Sequence, residues 1–205
     1  MKINLSKKKS IFLLILAVLL FIIGGFILWE KNREAPYVGG EEFKIEETPA
    51  GRVLKNTGMG LIVGIPAEWI MQKERYGVGL YSPEVEFEES GALRFNSLKE
   101  GGCVVYIEGR TDPALLSADA DYLRMEIQRV KDGEKESKKD HQYSTFLIDE
   151  YESLRIDHVK ENAVRGITVE IPVGDAVYSL ESDFIFSEKC VDEFNKILET
   201  VEINK

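Results

Sequence analysis

The sequence predicts an α+β domain, an antiparallel β-sheet with helices packed on it, preceded by one transmembrane helix. Three observations predict it. Residues 11–29 form an uncharged apolar run. Between residues 60 and 186, short segments alternate apolar and polar side chains with the two-residue period of strands. Two further segments, 112–131 and 187–200, repeat their apolar positions at helical spacing instead. The chain has 205 residues, of which 44% are hydrophobic and 30% charged, so it suits one folded domain with an appendage.

The elements follow in order. Residues 1–10 are a basic stub containing Lys2, Lys7, Lys8 and Lys9. The run Ile11 to Trp29 spans roughly 28 Å as a helix, close to the hydrocarbon thickness of a bilayer. No A-x-A-like cleavage site follows Trp29, and no cysteine lies there to receive lipid, so an uncleaved signal anchor is expected. The four lysines before the span outweigh Lys31 and Arg33 after it. The positive-inside bias therefore places the N-terminus in the cytoplasm and the body outside.

Residues 30–50 read as an acidic linker, with Pro36, Gly39, Gly40 and Pro49 among Glu34, Glu41, Glu42, Glu46 and Glu47. As a flexible coil it would reach roughly 25 Å. Within it, Phe43-Lys44-Ile45 has the look of a short edge strand.

Residues 51–205 are the expected extracytoplasmic domain. Gly60 to Ile65 is a strand stopped by Pro66, and Val78 to Tyr81 a second, stopped before Pro83. Cys103 to Glu108 alternates so that Cys103, Val105 and Ile107 share a face. Asp112-Pro113 has the form of an N-cap and first helical residue. Leu116, Ala120, Leu123, Ile127 and Val130 then continue at helical spacing to residue 131. Lys131 to Gln142 carries no apolar side chain and reads as a solvent loop. Strands are expected at Tyr143 to Ile148, Leu154 to Val159, Val164 to Ile171 and Val177 to Phe186, with Pro172 to Asp175 as a hairpin turn. Ser187 caps a closing helix whose inner face is Cys190, Phe194, Ile197, Leu198 and Val201.

Gly60-x5-Pro66-x-x-Trp69 resembles the opening signature of PsbP-like domains, relatives of the extrinsic P subunit of photosystem II. Val177 to Phe184, leading to Phe194 to Val201, resembles that family's last strand and closing helix. The resemblance implies an α/β/α sandwich around an antiparallel sheet and a role as a non-catalytic binding or assembly module; Trp69, just past the first long strand, is expected to be largely buried. It implies no metal and no photosystem role for this chain, since the transmembrane anchor departs from the soluble photosynthetic members.

Charge bounds the partners. Six of the 26 basic side chains and one of the 36 acidic ones lie in residues 1–33, which leaves the rest of the chain with 20 basic and 35 acidic groups, net −15. A polyanion would be repelled, so nucleic acid is not expected; a basic envelope protein is. Cys103 and Cys190 either form a disulfide or stay as two buried thiols. His141, in the charged segment, and His158, near a strand end, have no G-x-S-x-G or other catalytic motif around them and read as surface histidines. Asp157-His158-x-x-Glu161 has only generic spacing for a cation, and Glu84 to Ser90 lacks the D-x-D-x-D-G of an EF-hand and suits a charged edge strand. The expected function is a membrane-tethered, extracytoplasmic, non-catalytic binding or assembly module with no cofactor; the rivals are an envelope hydrolase and a calcium-responsive domain.

Overall fold

The computed structural model describes residues 42–49, 51–58, 60–111, 122–137, 140–174 and 176–204. The expected signal anchor at 11–29, and the first half of the expected 112–131 helix, lie outside the described residues. Among the described residues, no helix is long and apolar enough to cross a membrane.

The described chain is mostly strand. Strands β1 (Phe43–Thr48), β2 (Gly51–Asn56), β3 (Leu61–Ile65) and β11 (Glu202–Ile203) make a four-stranded sheet in the order β1-β2-β3-β11. Strands β4 (Ile70–Glu74), β5 (Gly77–Tyr81), β6 (Val104–Thr111), β7 (Asp140–Ile148), β8 (Tyr151–Lys160), β9 (Ala163–Val173) and β10 (Ala176–Asp183) make a seven-stranded sheet in the order β4-β5-β6-β10-β9-β8-β7. All the registered strand pairs are antiparallel. The helices are α1 (Phe95–Lys99), α2 (Tyr122–Ser137) and α3 (Glu188–Leu198).

This corrects the expected fold class. The architecture is two antiparallel sheets with few helices, not the single helix-flanked sheet of an α/β/α sandwich. The physical reason lies in residues 43–65. Phe43, Leu54, Leu61 and Val63 alternate with exposed or half-exposed neighbours and are themselves buried, so this stretch forms a sheet of its own. That sheet and α3 share one core with the large sheet: Phe43, Leu54, Val63, Phe194 and Ile197 join Val105, Ile107, Val169, Tyr178 and Leu180. The strand β1 also takes up residues that belong to the expected 30–50 linker.

Several elements lie where the spacing puts them. Strand β3 stops before Pro66, and the turn beyond it is held by Arg52, whose Nη2 donates to the carbonyls of Pro66, Ala67 and Trp69 at 2.9, 2.7 and 2.8 Å. Trp69 is buried. Ser187 caps α3, its side chain accepting from the Cys190 N–H.

Three differ. Residues 131–137 continue α2 and β7 starts at Asp140, so the expected solvent loop at 131–142 is mostly helix and strand. Strand β9 runs through Pro172 to Val173, which pairs with Ala176, and shortens the expected four-residue turn. Residues 84–90 are not an edge strand but part of a compact loop closed by a bridge between Phe87 and Leu93. Two of its carboxylates form ion pairs. Glu86 holds Arg94, and Glu84 meets Lys189, whose hydrogen bond keeps the Glu84 carboxyl down at about 2.

Candidate functional site

The two faces of the seven-stranded sheet carry different chemistry because strand side chains alternate. One face is the apolar core just described. On the other, registered positions bring together Glu108 and Arg110 of β6, His141 of β7, Leu154, Ile156 and His158 of β8, Thr168 and Glu170 of β9, and Val177, Ser179 and Glu181 of β10. Helix α2 covers part of this face through a small apolar cluster in which Tyr122 and Leu123 meet Leu154, Ile156 and Val177.

Beside that cluster lies a buried polar network. Arg110 Nη2 donates to Tyr122 Oη at 2.7 Å and to Glu170 Oε1 at 3.2 Å, while Tyr122 Oη donates to Glu170 Oε2 at 2.9 Å. Glu170 is only 4% exposed. Burial raises its pKa, the neighbouring Glu126 carboxylate raises it further, and Arg110 works against both. Glu126 is held in turn by Arg129, whose Nε donates to Oε1 at 2.7 Å. Glu108 is raised as well, by burial first and then by Glu181.

At the far end of the same face, the two histidines of the chain are in contact. His141 and His158 face each other across β7 and β8, with their Nδ1 atoms 3.0 Å apart and their rings nearly perpendicular. His158 Nε2 lies 3.2 Å from Thr168 Oγ1 on β9. The β8–β9 register shifts between His158 and Val159, where Arg165 is the extra residue on β9. One local feature gives the His158 ring its room. Its partner across the ladder is Gly166, where a Cβ would lie 3.2 Å from His158 Cδ2 and 3.4 Å from Asp183 Oδ1. Glycine leaves the ring its space.

The histidine pair is a wall shared by two open grooves. A groove of about 580 Å³ runs towards α2, past Thr168, Glu170, Glu181, Arg110 and Arg129. A larger one of about 980 Å³ lies on the side of the β8–β9 turn, lined also by Lys160, Glu161, Arg165, Asp183 and Phe184. Two of those residues hold left-handed backbone conformations, Glu161 at φ 54° and Phe184 at φ 60°. Neither glutamate nor phenylalanine favours that region, so both conformations cost free energy. Phe184 is 57% exposed and packs edge-on against Phe95, 5.3 Å between ring centroids, in an aromatic patch at the rim.

The other expected sites fall elsewhere. Cys103 and Cys190 are joined as a disulfide, Sγ–Sγ 2.05 Å and Cα–Cα 5.1 Å, in the core on the opposite side of the sheet. Asp157 alternates to that opposite side, where Arg155 Nε donates to its Oδ1 at 2.8 Å, so Asp157, His158 and Glu161 do not converge. Among the described residues, no group of three or more His, Cys, Asp or Glu side chains is placed to hold a metal ion.

The histidine pair was the residue set missed by reading motifs. Its signal is the hairpin register. The β7–β8 turn is flanked by the pair Ile148 and Tyr151, and His141 and His158 each lie seven positions from it. No family model matches the chain, and no curated protein matches it.

Proposed function

We propose that the chain is a membrane-tethered, extracytoplasmic binding module whose ligand enters the larger histidine groove. One observation carries the reading: a histidine pair, a β-bulge and two strained left-handed residues coincide around a single groove. Strain of this kind persists where the surrounding fold over-determines it, and it concentrates at ligand clamps and active sites. The exposed ring of Phe184 offers a stacking surface, and Lys160 and Arg165 give the groove cationic groups in an otherwise acidic body. The signal anchor expected at 11–29 supports the tethered placement, and the PsbP-like resemblance adds a precedent for non-catalytic modules.

A photo-crosslinking residue at position 184, in intact membranes, tests the reading. We expect it to capture a partner that the same residue at Ile45, exposed on the edge strand β1, does not. Equal capture at both positions overturns it.

A hydrolase is the second reading, favoured by the chain Thr168–His158–His141, which has the contacts of a nucleophile, a base and an orienting group. Against it, Thr168 sits mid-strand, paired with Ile156 on one side and Glu181 on the other. Backbone N–H groups engaged in ladders on both sides do not turn into an oxyanion hole. Turnover of an envelope substrate lost in Thr168→Val would favour the hydrolase.

A further inference from the structure

We propose that His141 and His158 are the two protein ligands of a divalent transition-metal ion, bound between their Nδ1 atoms, with its remaining coordination positions open to the groove. The inference deepens the binding-module reading, since it assigns chemistry to the same groove.

Imidazole nitrogens suit copper, nickel and zinc, and here two of them converge from adjacent strands. Each ring presents its Nδ1 to the other, and the outer nitrogen of His158 has a polar neighbour. Ligating histidines usually donate their other ring N–H to an outer group, which fixes the tautomer and leaves the ligating lone pair free. Thr168 Oγ1, 3.2 Å from His158 Nε2, is such a group. In the tautomer whose Nε2–H donates to Thr168, the His158 Nδ1 lone pair would face His141. Bound, the ion would be held by His141 Nδ1 and His158 Nδ1, with each neutral ring carrying its proton on Nε2.

The spacing also selects among metals. With bonds of about 2.0–2.1 Å, nitrogens 3.0 Å apart subtend roughly 95° at the ion. That is near the right angle of adjacent square-planar or octahedral positions, below the roughly 109° of the tetrahedral zinc site. Copper(II) is expected to bind more tightly than nickel(II) or zinc(II), as it does at nitrogen sites generally. Because no third His, Cys, Asp or Glu ligand joins the pair among the described residues, the ion keeps exchangeable positions. Those positions would accept water or a donor group of the ligand, and Glu161 and Asp183 in the groove lining offset the charges of Lys160 and Arg165.

The test uses the full chain in detergent micelles or nanodiscs, titrated with copper(II) alone and followed by calorimetry and electron paramagnetic resonance. We expect one ion per chain with two nitrogen ligands, and loss of that site in His141→Ala and in His158→Ala. Thr168→Val, which keeps both ligands but removes the outer hydroxyl, should weaken binding roughly 10-fold. Thermal unfolding without metal checks that the variants are folded, and His141→Gln, on the edge strand, serves if His158→Ala is not. Equal copper affinity in the wild type and the His141 variants overturns the proposal. So does copper-induced dimerisation, which would mean ligands from two chains, and so does zinc binding more tightly than copper. The failures are separable: copper binding without a partner at position 184 sinks the binding-module reading alone, and a partner there without copper binding sinks only the metal.

Discussion

The two faces of the seven-stranded sheet are made by alternate residues of the same strands, yet they serve different ends. The face towards the small sheet carries Val105, Ile107, Ile167, Val169, Tyr178 and Leu180, all fully buried in one apolar cluster with the disulfide. The face towards α2 carries Arg110, His141, His158, Thr168 and Glu170, with only a small apolar cluster under the helix. Apolar burial is non-directional and stabilises in proportion to area, whereas buried charge is stabilising only when each group finds its partner. The first face holds the fold together; the second places chemistry on it. Neighbouring residues in one strand should therefore respond very differently to the same mutation.

The largest contrast is expected within β10. Leu180 faces the core and Ser179 the polar side, where its hydroxyl donates to Glu181 Oε1 at 2.6 Å. Leu180→Ala should cost about 3–5 kcal/mol, from lost transfer free energy plus the cavity left in a close-packed site. Ser179→Ala should cost less than about 1 kcal/mol. Denaturant unfolding of both variants checks this, and similar losses would mean that the polar face contributes to stability as the core does.

Next comes the crosslink. Cys103 and Cys190 are 87 positions apart, so the bridge restricts a long stretch of the unfolded chain. Replacing both by serine should lower stability by about 2–4 kcal/mol. The histidine pair lies on the other side of the sheet, so copper binding by the folded fraction should not change. A variant that keeps its stability would show that the bridge adds nothing the packed core does not already supply.

A smaller effect, with a characteristic pH signature, is expected at Glu170. Glu170→Ala leaves the Tyr122 hydroxyl and part of Arg110 without their acceptor and should cost about 1–3 kcal/mol. Glu170→Gln keeps an acceptor and removes the charge. Because burial raises the Glu170 pKa above its ordinary 4.5, the folded state holds this proton to a higher pH than the unfolded state does. The wild type therefore loses stability relative to Glu170→Gln as pH rises from about 4.5 through the raised folded value. Stability of the pair measured from pH 4.5 to 8 checks the sign. A difference that grows in the opposite direction would mean that Arg110 outweighs burial.

What was legible in the sequence follows the same division. The apolar face announced itself through alternation: Ile167, Val169 and Ile171 could be read as one inward row without any knowledge of their partners. The small sheet did so only in part: Gly60 to Ile65 reads as a strand and Phe43 to Ile45 as a short edge strand. But β1 sits among glutamates and prolines that look like linker, and their pairing into a second sheet through β2 has no local signal. The polar face was hidden for a different reason. A histidine is informative only with its neighbour, and His141 and His158 are neighbours through a hairpin register. Reading 131–142 as a loop took His141 out of β7 and removed that register. The bulge at Arg165 and the left-handed backbone at Glu161 and Phe184 leave no compositional trace, since glycine or asparagine would be expected at the latter two.

The smallest effect expected is a gain. Among the described residues, three in hairpin turns hold a left-handed backbone without being glycine, and two of them contrast directly. Asp149, in the β7–β8 turn, has φ 51° and its Oδ2 accepts from the Ile203 N–H at 2.7 Å, so its side chain ties the turn to β11 and offsets the strain. Glu161, in the β8–β9 turn, has φ 54°, and its side chain is exposed. It is followed by Asn162 at φ 62°, and a pair of left-handed residues in a two-residue hairpin turn favours asparagine or glycine at both positions. Glu161→Asn should therefore stabilise the chain by about 0.5–1 kcal/mol, while Asp149→Ala should destabilise it by about 1–2 kcal/mol. If Glu161 is retained for the groove it lines, the more stable variant should bind its partner less well, the usual exchange of stability for function at a strained site. A Glu161→Asn chain that is both more stable and undiminished in crosslinking from position 184 would leave this glutamate as ordinary turn chemistry, and would confine the site to the histidines and Phe184.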